Sequence, residues 1–367
     1  MKRLTLIFTL LTCTIILTNG QEKLDELLPI RGLELAAPDK DEIDAFVVFI
    51  NDELVPLKVN TLLLRIDWNF QYKSHPELQD DNPLTEDDVK KIVNACKAGG
   101  IRIIPQINLL GHQSWFSKVG KLLEQYPQFN ETPHVPTDAG IDSWPNEHGL
   151  YCLSYCPLHP EVHDVVFDVV DEIVEVFETD AFHAGMDEVF YLGDDKCPRC
   201  SGRDKAELFA GEVTKISNHL TENGNELWMW GDRFLDGKIT GIGFWEASYN
   251  NTHRAIDMVP KDIVICDWHY ERADPTAAIF ALKGFRVVTC PWNKAQHATV
   301  QMHQMVNFRQ HATPETKENF YGMMQTTWTG AGRFMDGYYG KVDFEGRRGN
   351  QVECFKVLYE EINKLDD

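Results

Sequence analysis

Short apolar runs alternate along this chain with longer stretches whose apolar residues recur at helical spacing. Residues 32–36 form a first strand candidate, followed by a helical stretch over about 41–54. Thr61-Leu62-Leu63-Leu64-Arg65-Ile66-Asp67 reads as a second strand. Its helix begins near Thr85, with Glu86, Asp87 and Asp88 in the first turn, where carboxylates complement the positive end of the helix dipole. A third run, 101–107, contains Pro105, which removes a ladder donor and predicts that the strand end bends there. After a long polar stretch over 111–158, Val165, Val166, Val169, Val170, Ile173, Val174 and Phe177 predict a helix over 160–177. Further strands are expected at 181–187, 227–231, 262–268, 285–290 and 322–328. Helices follow at 205–223 and at 352–365, the last with Phe355, Leu358, Ile362 and Leu365 along one stripe.

Strands that read as continuous apolar runs, each followed by a connection, indicate a parallel sheet covered on both faces. Eight such units close into a (β/α)8 TIM barrel, an α/β fold that fills the length as a single domain over 21–367. An open doubly wound sheet is the competing arrangement, but no glycine-rich phosphate loop follows the first strand. No internal repeat or low-complexity linker marks a second domain.

Bulk properties change this picture at three points. The formal net charge of −22 argues against nucleic acid and anionic membrane surfaces as partners. Lys2-Arg3 followed by an apolar stretch over 4–17, then Thr18-Asn19-Gly20, fits an export signal cleaved before Gln21, too short to be a comfortable membrane span. Lipid attachment at Cys13 is the alternative, although Leu10-Leu11-Thr12 is a poor approach to such a cysteine. Of the nine cysteines, eight lie beyond that segment. Cys152 and Cys156 precede one helix, and Cys197-Pro198-Arg199-Cys200 forms a CxxC; these four are candidates for a structural zinc or for two disulfides. Cys96, Cys266, Cys290 and Cys354 fall in apolar or helical stretches and read as core.

In such barrels chemistry sits at the C-terminal ends of the strands. Those ends supply Asp67-Trp68, Gln106, Asn108 and His112, His183 with Asp187-Glu188, Trp230 with Asp232, Asp267-Trp268 with His269-Tyr270, Trp292-Asn293, and Trp328. Indole faces pack on the C–H faces of a sugar ring while carboxylates and amides bond its hydroxyls. The set therefore suits a saccharide better than a phosphate, which calls for backbone amides and arginines. The adjacent carboxylates Asp187 and Glu188 resist ionising together, so one can stay protonated as a general acid. Each flanking residue also has a structural explanation: His183 and His112 as satisfied barrel histidines, Asp232 and Asp267 as loop caps, and each Trp as core.

His183-Ala184-Gly185-Met186-Asp187-Glu188 resembles the His-x-Gly-x-Asp-Glu signature of family 20 glycoside hydrolases, the β-N-acetylhexosaminidases. The stretch from Ala98 to Gly111-His112, the Cys156-Pro157 segment before the next helix, and Trp230 on the fifth strand are similar to that family as well. The resemblance implies an exported retaining glycosidase without a cofactor, acting on oligosaccharides or glycoconjugates by substrate-assisted catalysis. It casts Glu188 as general acid and base, and Asp187 as the group that orients the substrate 2-acetamido group, with Trp230, Trp268 and Trp328 walling its methyl. Strand alternation then places Asp187 at the last strand position and Glu188 on the turn beyond. The family's first-strand arginine is replaced by Ala37-Pro38, its seventh-strand tyrosine by Trp292-Asn293, and its glutamate after Trp328 by Thr329-Gly330. Tyr270, and Trp245 with Glu246 from the insertion after the fifth strand, are candidates to restore lost contacts. Two alternatives stay open: a barrel acting on another sugar, and a glycan-binding protein with little catalysis. Metal-dependent hydrolysis has weaker support, because His112, His183 and Asp187 lack a compact ligand motif.

Overall fold

The computed structural model describes residues 23–115, 118–136, 152–344 and 349–366. The expected export signal and Cys13 lie outside the described residues. Eight parallel strands close into one barrel in sequence order. They are β1 (Ile30–Ala36), β2 (Thr61–Arg65), β3 (Arg102–Leu109), β4 (Ala181–Gly185), β5 (Glu226–Trp230), β6 (Val264–Trp268), β7 (Arg286–Cys290) and β8 (Phe320–Gln325). Around them pack α1 (Ile43–Phe49), α2 (Glu86–Ala98), α3 (Val162–Phe177), α4 (Lys205–Glu222), α5 (Ala277–Leu282), α6 (Ala295–His311), α7 (Ala331–Tyr338) and α8 (Gln351–Lys364).

Period-2 alternation sorts each strand into two cores. Leu62 and Leu64 of β2, Phe182 and Ala184 of β4, and Leu227 and Met229 of β5 face the helix shell. Leu63, Ile104, Ala181, Trp228, Trp230, Val264, Cys266, Trp268, Val288, Cys290 and Met324 fill the barrel interior. Thr85 starts α2 with a reciprocal capping box to Asp88, as the acidic first turn suggests. Helix α3 buries the valine and isoleucine stripe and stops at Glu178, which takes a left-handed conformation (φ 48°).

Two sequence expectations need correcting, and one helix was not anticipated. Strand β3 begins at Arg102 and runs two residues past the expected end at 107, to Leu109. Arg102 and Gln106 bond toward the β2 side, so alternation turns Pro105 toward β4, where pairing starts only at Gln106 and is irregular. The missing proline donor therefore falls where the ladder is already interrupted. Strand β4 ends at Gly185, two residues before Asp187, so neither carboxylate stands on the strand. Helix α6 left little trace in the sequence because its buried face includes Gln301 and Arg309. The Arg309 guanidinium bonds the carbonyls of Glu26, Lys317 and Phe320, which satisfies a charge that an apolar face would exclude.

Ile173 sits fully buried on the inner stripe of α3. Ile173→Ala is expected to cost about 2–5 kcal/mol of unfolding free energy by leaving a cavity in the shell core. Urea titration followed by circular dichroism measures it.

Candidate active site

Beyond Gly185 the backbone leaves ordinary conformations. Gly185 (φ 65°), Met186 (φ 65°) and Glu188 (φ 49°) all adopt positive φ, as do Asp67, Leu110, His112 and Trp328 at other strand ends. Left-handed backbone is unfavourable for side chains larger than hydrogen, and such residues gather where structure over-determines them. A Cβ at Gly185 would come within 2.4 Å of Asn108 Oδ1, and one at Gly111 within 2.7 Å of the Asp187 carbonyl oxygen. Gly185 thus lets the ends of β3 and β4 approach, and Gly111 lets the turns beyond them touch.

That contact brings His112 between the carboxylates. Its Nε2 lies 3.1 Å from Asp187 Oδ2 and 3.2 Å from Glu188 Oε2, while Nδ1 stands 3.4 Å from the Cys152 sulfur. Burial works against a charged imidazole, but the Asp187 charge and bonds to Asp187 and Cys152 hold His112 well above the usual histidine range. Burial likewise opposes the Asp187 anion, yet His112 keeps that carboxyl below its ordinary value. A cationic His112 thus stands within hydrogen-bond reach of both acids. Asp187 Oδ1 is buried and has no hydrogen-bond partner among the described residues.

Asp232 stands behind Glu188. Its Oδ2 accepts from the Glu188 amide at 3.0 Å and from Arg233 Nε at 2.5 Å, and burial pushes its carboxyl up to about 6. Arg233 also bonds the carbonyls of Phe244, Trp245 and Ala247, and Asn250 bonds those of Val189 and Phe190. The insertion after β5 is thereby fastened to the loop that carries the carboxylates.

His183 accepts the Gly185 amide at Nδ1, packs edge-on to Trp230 at 4.5 Å, and is driven down to about 3 by burial. It stays neutral and fixes the end of β4. Trp230 tilts against Trp328 at 5.6 Å, and Trp268 against Tyr270 at 4.8 Å. The Tyr270 hydroxyl accepts from Trp328 Nε1 at 2.7 Å and from Thr326 Oγ1 at 3.1 Å. Trp292 backs Tyr270 while its indole N–H bonds Gln351 Oε1, so it supports the wall from behind. Trp245 packs on Phe190 and Phe244.

Asp267 and Glu246 are committed elsewhere. His269 bonds Glu246 Oε2 at 2.9 Å and Asp267 Oδ1 at 3.1 Å, Thr276 bonds the other Asp267 oxygen, and Glu246 Oε1 accepts from the Tyr270 amide. This buried network positions Tyr270 and leaves neither acid an oxygen without a protein donor.

A second polar group was missed. Arg65 lies 3.5 Å from Glu34 and 3.7 Å from Asp67, with its guanidinium over the Trp328 ring at 5.4 Å. Glu34 also accepts from the Thr327 amide, and Asp67 from the amide and side chain of Asn108. The signal was present: Glu34 and Arg65 occupy inward positions of otherwise apolar strands. The four-cysteine set also divides. Cys156, Cys197 and Cys200 gather with Glu131, while Cys152 joins His112. Segment 152–156 runs between the 110–113 and 129–131 backbones, and four extended residues span about 13 Å, beyond one coordination shell. All eight described cysteines are free thiols.

The profile of the glycosyl hydrolase family 20 catalytic domain matches residues 47–334. The chain belongs to that family. A β-hexosaminidase of Akkermansia muciniphila is 29% identical over 157 residues, covering 40% of this chain and 29% of that protein. A lacto-N-biosidase of Bifidobacterium bifidum is 25% identical over 240 residues, covering 62% of this chain and 18% of its own length. The chain spans well under half the length of such relatives. The crystal structure of Flavobacterium johnsoniae chitobiase superposes with a TM-score of 0.61 at 19% identity, over 92% of this chain and 51% of that one. A β-N-acetylhexosaminidase of Bacteroides fragilis gives 0.60 at 16% identity, over 91% and 66%. The family 20 fold is the (β/α)8 barrel expected from the strand pattern. No helix among the described residues is long and apolar enough to cross a membrane.

Paired to two acids, His269 is raised to about 10 from an ordinary 6.5, against the cost of burial. A raised folded pKa stabilises fully below about pH 6.5, and that contribution fades as pH climbs through about 10. His269→Gln is expected to lose stability most below neutral pH, with the gap to wild type narrowing toward pH 10. A gap that stays constant across urea titrations over that range contradicts the pairing.

Proposed function

We propose that this chain is a retaining β-N-acetylhexosaminidase that releases terminal β-linked N-acetylhexosamine from oligosaccharides or glycoconjugates. The observation that carries it is the Asp187–His112–Glu188 arrangement beside an indole wall in a family 20 barrel. Glu188 gives its proton to the glycosidic oxygen as the C1–O bond breaks. The acetamido oxygen of the substrate attacks C1 and forms a bicyclic oxazolinium ion. Asp187, its Oδ1 still lacking a donor, accepts the acetamide N–H and offsets the developing positive charge. Water then attacks C1 and Glu188 takes its proton, so the β configuration is kept. Trp230, Trp268, Trp328 and Tyr270 exclude water around the acetamide. Arg65, less buried than Glu34 beside it, is the group suited to sugar hydroxyls that the first strand lacks.

The carboxylate pair favours catalysis over a glycan-binding role, because holding two acids on one imidazole is costly scaffolding for binding alone. The changed polar group around Arg65 favours a shifted sugar preference within the same chemistry. Export with cleavage before Gln21 remains part of the proposal, and N-terminal sequencing of secreted protein tests it.

Glu188→Gln and Asp187→Ala are each expected to lower kcat on an aryl N-acetyl-β-glucosaminide by about 10²–10⁴. Progressive fluorination of the acetamide is expected to slow wild type steeply, since it weakens the attacking oxygen. Wild-type turnover in both variants, or a rate indifferent to fluorine, overturns the assignment.

A further inference from the structure

Behind the catalytic loop, four buried side chains converge from three separated segments. Glu131 follows the short turn at Pro127–Phe129, Cys156 precedes α3, and Cys197 and Cys200 stand on the loop between β4 and α4. Their ligand atoms all lie within 4.8 Å of one another, and all four residues are buried. The Cys156 sulfur is 3.4 Å from that of Cys200 and 3.7 Å from that of Cys197. Zinc–sulfur bonds of about 2.3 Å in a tetrahedron place sulfurs about 3.8 Å apart, whereas a disulfide requires about 2.05 Å. The separations suit a shared ion and are too long for a bond.

Glu131 accepts the Asp194 amide through Oε1, while Oε2 is buried with no hydrogen-bond partner among the described residues. A buried carboxylate oxygen without a donor, on a residue gathered with three sulfurs, is costly unless a cation answers it.

We propose that Glu131, Cys156, Cys197 and Cys200 bind one structural zinc ion. Binding displaces three thiol protons to solvent and involves no redox change. The ion would close a four-ligand shell, leaving no open position for a substrate. It would fasten the loop leaving the carboxylate pair to the segment whose other end holds Cys152 against His112, and so act on the active site by position alone.

The test is metal content of the full chain after gel filtration, read by elemental mass spectrometry with native intact mass. About one zinc per chain is expected, with roughly three protons released when metal-free protein is reloaded. Cys197→Ser and Glu131→Ala are expected to fall to about a tenth of that content or less, while Cys152→Ser keeps it. If the ligand variants do not fold, the wild-type mass decides: one zinc supports the site. Wild type that binds no zinc when reloaded under reducing conditions overturns it, as does a Cys156–Cys200 crosslink in the non-reduced peptides. The readout is independent of glycosidase activity.

Discussion

One imidazole between two carboxylates sets the terms for the rest of this barrel mouth. Asp187 and Glu188 are adjacent, buried, and beyond the end of their strand, so water cannot screen them. His112 supplies the compensating charge within 3.2 Å of both. Much of the neighbouring structure serves that contact: Gly111 lets the backbones meet, left-handed turns at Leu110 and His112 aim the ring, and Cys152 holds its far nitrogen. Asp232, itself anchored by Arg233, holds the Glu188 amide from the other side. Backbone strain therefore concentrates where the charges meet and is sustained by the barrel beneath.

The remaining charges at the mouth divide by what they are bonded to. Asp267, His269 and Glu246 form a satisfied network that spends its bonding capacity on holding Tyr270. Such a network rigidifies a site without touching what binds there. Arg65 and Asp67 are partly exposed, with Arg65 against the Trp328 face and over the fully buried Glu34. Tyr270 links the two regions by accepting the Trp328 indole proton. The aromatic wall is thus fixed by hydrogen bonds at its edges as well as by packing.

The barrel itself was legible because each strand carries a short apolar run and α3 has an unbroken aliphatic stripe. Strand ends were less legible. Asp187 was expected on β4, but positive φ at Gly185 and Met186 ends the strand early, and only the glycine hints at this in sequence. Helix α6 was hidden by its buried glutamine and arginine. Glu246 and Asp267 stand out in the sequence as carboxylates, but the shared bonding to His269 is visible only in the structure. Glu34 and Arg65 went unnoticed for a different reason: charges inside a strand pattern read as edges, although these two point into the barrel interior. Glu131 carried no local motif at all, since its cysteine neighbours are brought to it by three different loops.

Direct observation of the His112 ring tests the central claim most sharply. Nitrogen-15 NMR of histidine-labelled protein should show both His112 nitrogens protonated well above pH 6.5, with the transition moving down in Asp187→Asn. A neutral His112 at pH 7, or a transition unmoved by that substitution, would contradict a shared imidazolium as the organising charge of the site.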